Sequence, residues 1–108
     1  MTAFNSVNGQ VTCPNCGQVS DFDVQFKYGD TWQYKYRIGD KIRWGGNDIG
    51  TRGRKRVLVE GIAGPCFHCH NDNLDFDVLI VEDEIVAIVP VHGSRQGSGS
   101  EGFSVLEP

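Results

Sequence analysis

The sequence predicts an all-β chain: a small antiparallel sheet or barrel with two knuckles in pseudo-twofold arrangement. Three observations carry this. Apolar and polar residues alternate with period two in several segments, and no stretch keeps a helical period. Glycine–aspartate pairs punctuate those segments as turn signals. All four cysteines fall into two Cys-x2-Cys units, Cys13-Pro14-Asn15-Cys16 and Cys66-Phe67-His68-Cys69.

Taken in order, Met1–Gly9 reads as a loose start leading into a short strand at Gln10–Thr12. The first knuckle follows. Pro14 sets φ early in its turn, and Gly17 stands where a left-handed backbone is commonly required. His70 holds the equivalent place after the second knuckle. Phe22, Val24, Phe26 and Tyr28 then alternate with Asp23, Gln25 and Lys27, the pattern of a half-buried strand. After Gly29-Asp30, Trp32, Tyr34, Tyr36 and Ile38 alternate with Gln33, Lys35 and Arg37. These two runs are expected to pair as an antiparallel hairpin with one aromatic face.

Gly39-Asp40 turns the chain again, and Ile42 and Trp44 mark a short third strand. Gly45 to Arg54 holds four glycines and no apolar period, as in an exposed, mobile loop. Strand character returns at Lys55–Gly61 and feeds the second knuckle. Beyond it, Phe76, Val78 and Ile80 alternate with Leu79 and Val81, and Ile85–Val91 returns after a turn at Glu82–Glu84. This hairpin is apolar on both faces, so it is expected at the buried centre of the sheet. Residues 1–92 thus form one domain, and the Gly/Ser-rich stretch 93–108 is expected to be a flexible tail.

The two halves echo each other. Cys-x2-Cys followed by Asp21-Phe22-Asp23-Val24 in the first half becomes Cys-x2-Cys followed by Asp75-Phe76-Asp77-Val78 in the second. Two knuckles so related, placed face to face, offer four sulfurs to one point. Four thiolates make a tetrahedral site for a single structural zinc ion, with Cys13, Cys16, Cys66 and Cys69 as ligands. Forty-nine residues separate Cys16 from Cys66, so the ion closes a long loop. The alternatives are two disulfides in an exported protein, a redox dithiol, iron in place of zinc, or a ligand role for His68 or His70. The polar run Met1–Val11 lacks the apolar core of an export signal. A reducing cytoplasm, where paired thiols favour metal, is the expected location.

The four cysteines resemble those of zinc-ribbon and rubredoxin-like knuckle proteins, and the Cys-Pro-x-Cys-Gly form of the first unit is similar to a rubredoxin knuckle. That resemblance covers the knuckles and their flanking strands. It implies a structural metal with exposed strands and loops free to bind partners, or, with iron, an electron carrier.

Charge points the same way. The formal net charge is −4, but nine of the ten Lys/Arg residues lie between Lys27 and Arg56 against only Asp30, Asp40 and Asp48. One basic face on an acidic body is expected. Lys35, Arg37, Arg43, Arg52, Arg54, Lys55 and Arg56 are the candidate contacts for a protein partner, or for nucleic acid with Trp32, Tyr34, Tyr36 or Trp44 stacking on bases. A metal closed by four cysteines leaves no open position for a substrate, and no Ser/His/Asp or Cys/His set is legible, so no catalysis is expected. Asp21, Asp23, Asp75 and Asp77 alternate with apolar residues and read as water-facing. His92 reads as a surface residue. No apolar run is long enough to span a membrane.

Overall fold

A computed structural model of the chain describes residues 4–46, 48–50, 52–63, 65–71, 74–91 and 103–105. All regular structure among them is strand: β1 (Asn5–Thr12), β2 (Val19–Phe26), β3 (Gly29–Asp30), β4 (Lys35–Arg37), β5 (Asp48–Ile49), β6 (Arg56–Ala63), β7 (Leu74–Val81), β8 (Glu84–Pro90) and β9 (Phe103–Val105). Six of these run in the order β4-β1-β2-β6-β7-β8, β9 pairs with β6, and β3 with β5 forms a separate two-stranded piece. The sheet is mixed, because β4 joins β1 in parallel while the other pairs are antiparallel. It curls into a half-barrel that brings β8 back near β1.

Period-two alternation decides which residues fill the inside. Val7, Val11, Phe22, Val24, Phe26, Val57, Val59, Phe76, Val78, Ile80 and Ile85 point inward and are buried. Phe22 and Phe76, the matching positions of the two Asp-Phe-Asp-Val runs, meet with ring centroids 5.0 Å apart. The tilted contact adds to the area each ring buries.

Several expected pairings differ. The strand expected at Gln10–Thr12 starts at Asn5, and it pairs with β2 along its whole length, from Asn5↔Phe26 to Thr12↔Val19. The Trp32–Ile38 run therefore does not form a hairpin with β2. Asn5 redirects it. This wholly buried side chain donates from Nδ2 to the carbonyls of Tyr28 (3.2 Å) and Asp30 (3.0 Å). Its Oδ1 accepts the N–H groups of Trp32 (3.3 Å) and Tyr34 (3.0 Å). The chain is thereby wrapped around the start of β1 and set down on its far side as β4. The aromatic stripe splits as a result: Tyr36 is 4% exposed and Trp32 is 65% exposed.

No strand forms at Ile42 and Trp44. Instead Lys41 makes an isolated bridge to Glu84, and Gly39 N, Asp40 O and Ile42 N hydrogen-bond Ile85 O, Ile85 N and Asp83 O. The stretch expected to be a loose loop contains β5, held against β3. Gly50 makes that approach possible: its φ is +88°, and a Cβ there would run into the Tyr28 ring. The second hairpin does not lie at the sheet centre either. β6 is the strand with three neighbours, whereas β8 ends the hydrogen-bonded order with Val86 and Val89 exposed. A curled sheet has only one inside, so apolar residues on its second face stay partly open to solvent.

Within the stretch 93–108, only 103–105 is described; it pairs Val57↔Val105 through Val59↔Phe103. The expectations for the rest of that tail and for His92 fall outside the described residues.

Candidate metal centre

Each knuckle caps an antiparallel hairpin, β1–β2 for the first and β6–β7 for the second. The repeat is thus strand–knuckle–strand. Local hydrogen bonds are the same in both copies. Cys13 N and Cys66 N donate to the carbonyls of Gln18 (2.9 Å) and Asn71 (3.1 Å), while Gly17 N and His70 N donate back to Cys13 O (3.0 Å) and Cys66 O (2.8 Å). Closing that turn requires positive φ, and Gly17 (+80°) and His70 (+60°) both have it, as their shared position predicts. A non-glycine residue there costs about 1 kcal/mol.

β2 and β6 pair at only Gln25↔Ile62 and Phe26↔Gly61, yet this brings the two hairpins side by side and their tips together. The four Sγ atoms lie within 4.8 Å of one another. Cys13 Sγ is 3.9 Å from Cys69 Sγ, and Cys16 Sγ is 3.7 Å from Cys66 Sγ. Exchanging the knuckles exchanges these two distances, so the site carries the pseudo-twofold symmetry of the sequence repeat. A metal at about 2.3 Å from each sulfur places tetrahedral sulfurs about 3.8 Å apart. Bonded sulfurs lie about 2.05 Å apart, and all four cysteines are free. The spacing fits an ion between thiolates and not a pair of disulfides.

Donors surround the sulfurs as thiolates need. Asn15 N and His68 N reach Cys13 Sγ and Cys66 Sγ, each at 3.4 Å, and Asn15 Nδ2 reaches across to Cys69 Sγ at 3.4 Å. The Asn15 amide and the backbone of Asn71 lower the Cys69 thiol to about 6 against burial. Backbone N–H groups of Cys69 and His68 likewise lower Cys66. At Cys16 a backbone bond from Gln18 favours the thiolate, but burial and the three neighbouring sulfurs outweigh it and raise the thiol to about 11. The metal-free cluster therefore holds its negative charge unevenly, and an ion must displace a proton from Cys16. Cys13 and Cys66 are fully buried, Cys16 and Cys69 half-buried. His68 and His70 are exposed and stand outside the cluster, with His68 edge-on to Phe67. A redox dithiol of the kind set between strand and helix has no helix here among the described residues.

The basic candidates separate into groups. Lys35 and Arg37 stand on the outer face of β4 and are exposed. Arg43 lays its guanidinium 4.9 Å from the Tyr34 ring centre and, with Lys35, Lys41, Tyr34, Tyr36 and Asp40, lines a groove of about 330 Å³. Arg52 lines a different groove beside Trp44. Arg54, Lys55 and Arg56 are exposed at the entry to β6, where the carbonyls of Arg54 and Lys55 accept the Glu82 N–H. The acidic β7–β8 turn is inserted there: Asp83 accepts Gly53 N–H, and Glu84 pairs with Lys41 at 3.6 Å. Lys35 and Arg43 thus share one groove, and Arg52 lines another.

Strand register reveals something the charge count did not. Across the outer face, Lys35, Ser6, Gln25, Ile62 and Asp75 stand in one row on β4, β1, β2, β6 and β7. Arg37, Asn8 and Asp23 align beside it, and Glu60 stands opposite Asp77. The face runs from basic at β4 to acidic at β7. Alternation had identified which residues face out, but only pairing places a cation of residue 35 level with a carboxylate of residue 75.

Compared with protein-family models, curated proteins and solved structures, the chain matches none of them. Its likeness to knuckle proteins rests on the four cysteines, which lie close together as such a site requires.

Proposed function

We propose that this chain is a non-catalytic interaction module, stapled by one structural zinc ion, that docks a protein partner through its charged surface in a reducing cytoplasm. The observation that carries it is the closed set of four sulfurs from two hairpin tips. Four cysteines saturate zinc and leave no position for a substrate, so useful chemistry falls to the surface. The outer face supports the choice of a protein partner: it offers both signs of charge around exposed Ile62, the composition of an apolar centre with a polar rim.

Elemental analysis of purified protein tests the metal, with one zinc per chain expected; a red protein carrying iron supports the electron-carrier alternative instead. Affinity capture with wild type and with Lys35→Glu/Arg37→Glu tests the surface. A single stoichiometric protein retained by wild type and lost by the variant is the expected result, and equal capture by both rejects this surface. Nucleic acid is the second reading, favoured by Trp32 standing 65% exposed three residues before Lys35. Binding of a single-stranded oligonucleotide that weakens steeply with salt and with Trp32→Ala identifies it.

A further inference from the structure

We propose that the edge of β6 left open by β2 is a docking slot for an extended strand from a protein partner, and that β9 of this chain fills it in the partner's absence. Main-chain pairing defines the slot. β7 pairs with β6 along its full length, Arg56–Ala63, and so takes one edge completely. On the other edge β2 reaches only Ile62 and Gly61 before it ends at Phe26. β9 therefore lies on that same edge, antiparallel to Val57, Leu58 and Val59. Val57 and Val59 are wholly buried, so this half of β6 belongs to the core. Without β9 its outer N–H and C=O groups face no strand, and such an edge is a template for another one. β1 and β2 separate the slot from β4, which carries Lys35 and Arg37, so this is a second surface.

Two features make β9 a replaceable occupant. It contributes three residue pairs, whereas β1–β2 and β6–β7 have eight each, and elements so lightly held open locally at low free energy. It is also joined to β8 through residues 91–102, a stretch that includes seven Gly or Ser. A Gly/Ser-rich tether presents its segment at an effective concentration of only about millimolar, which a free partner can match. Charge then sets the partner's chemistry. A strand running antiparallel to β6 passes Val59, Leu58 and Val57 and next arrives at Arg56, Lys55 and Arg54, all exposed. The fitting ligand is an extended segment with an apolar-x-apolar centre followed by an acidic residue. Phe103-Ser104-Val105 followed by Glu107 has that form in this chain's own sequence.

The test is fluorescence anisotropy of a labelled synthetic peptide with the sequence of Gly102 to Glu107, titrated with the metal-loaded full-length protein. Ser104→Pro/Val105→Pro in the protein releases β9: successive N–H groups of a strand point to opposite edges, so one of the two lost donors belongs to the β6 side. The variant is expected to bind the peptide at least about tenfold more tightly than wild type, whose slot is mostly filled. A peptide carrying the same two prolines is expected to lose binding, and one with Glu107→Lys to bind more weakly. Unchanged metal content and thermal transition show that the variant is folded. Hydrogen exchange on wild type needs no variant: β6 amides directed at β9 are expected to exchange at least about tenfold faster than those directed at β7. A released variant that ignores the peptide, equal affinity of variant and wild type, binding that survives the prolines in the peptide, or equal exchange on both edges of β6 overturns the proposal. A Glu107→Lys peptide bound as tightly as the parent overturns the acidic part of the ligand.

Discussion

Asn15 is not one of the four sulfur ligands, yet it does more for the site than its place between two of them suggests. Its backbone N–H supports one sulfur and its side-chain amide reaches a sulfur of the other knuckle. That second bond helps hold Cys69 at about 6, below its ordinary 9.0. A thiol depressed in this way stabilises the fold fully above 9.0, and the contribution is lost as pH falls through about 6. Asn15→Ala removes the donor, raises the Cys69 value and lets protons compete better for the sulfur. The acid midpoint for zinc release is therefore expected to move to higher pH, measured with a chromogenic chelator. No shift, or a shift to lower pH, contradicts the cross-knuckle role. The sequence made the four ligands legible because sulfur spacing is a local property. Asn15's reach to Cys69 depends on the tips meeting, which no local pattern encodes.

At the scale of elements, the crossover from β2 to β4 depends on Asn5. Four hydrogen bonds to one buried amide hold 28–34 against the start of β1. Asn5→Ala removes all four of these hydrogen bonds and is expected to cost about 3 kcal/mol in urea unfolding. A loss under about 1 kcal/mol would show that water or repacking replaces the amide. This element explains why some strands were legible and their partners were not. Alternation at Phe22–Tyr28, Phe76–Val81 and Ile85–Val91 identified strands, because inward and outward positions differ chemically along one segment. Pairing β4 with β1 needed knowledge of a buried polar hub at residue 5, in a stretch whose composition reads as a loose start. The hairpin expected between residues 22–28 and 32–38 followed adjacency in sequence, and Asn5 overrode it.

For the whole molecule, an ion held by the four sulfurs would tie two hairpins that share only two pairs of residues along β2 and β6. Phe22 against Phe76 continues that contact inside, and the sulfurs finish it at the tips. Binding energy at such a site is folding energy, on the order of 10 kcal/mol for four-ligand zinc sites. Removing the metal with a chelator, or replacing Cys66 by Ser, is expected to abolish the cooperative thermal transition near neutral pH. A Cys66→Ser protein with wild-type melting and metal content would show that the half-barrel stands without the tie.

The turn between β4 and Ile42 has one more consequence. Asp40 engages both the N–H and the carbonyl of Arg37, its carbonyl and the Gly39 N–H engage Ile85 on β8, and the Ile42 N–H reaches Asp83 in the turn before β8. A single reverse bend thereby occupies the main-chain groups of Arg37 on β4 and of Ile85 on β8. Growth by strand addition, the route to fibrils, is hindered at those two positions. A strand arriving at either of these two positions meets main-chain groups that already have partners.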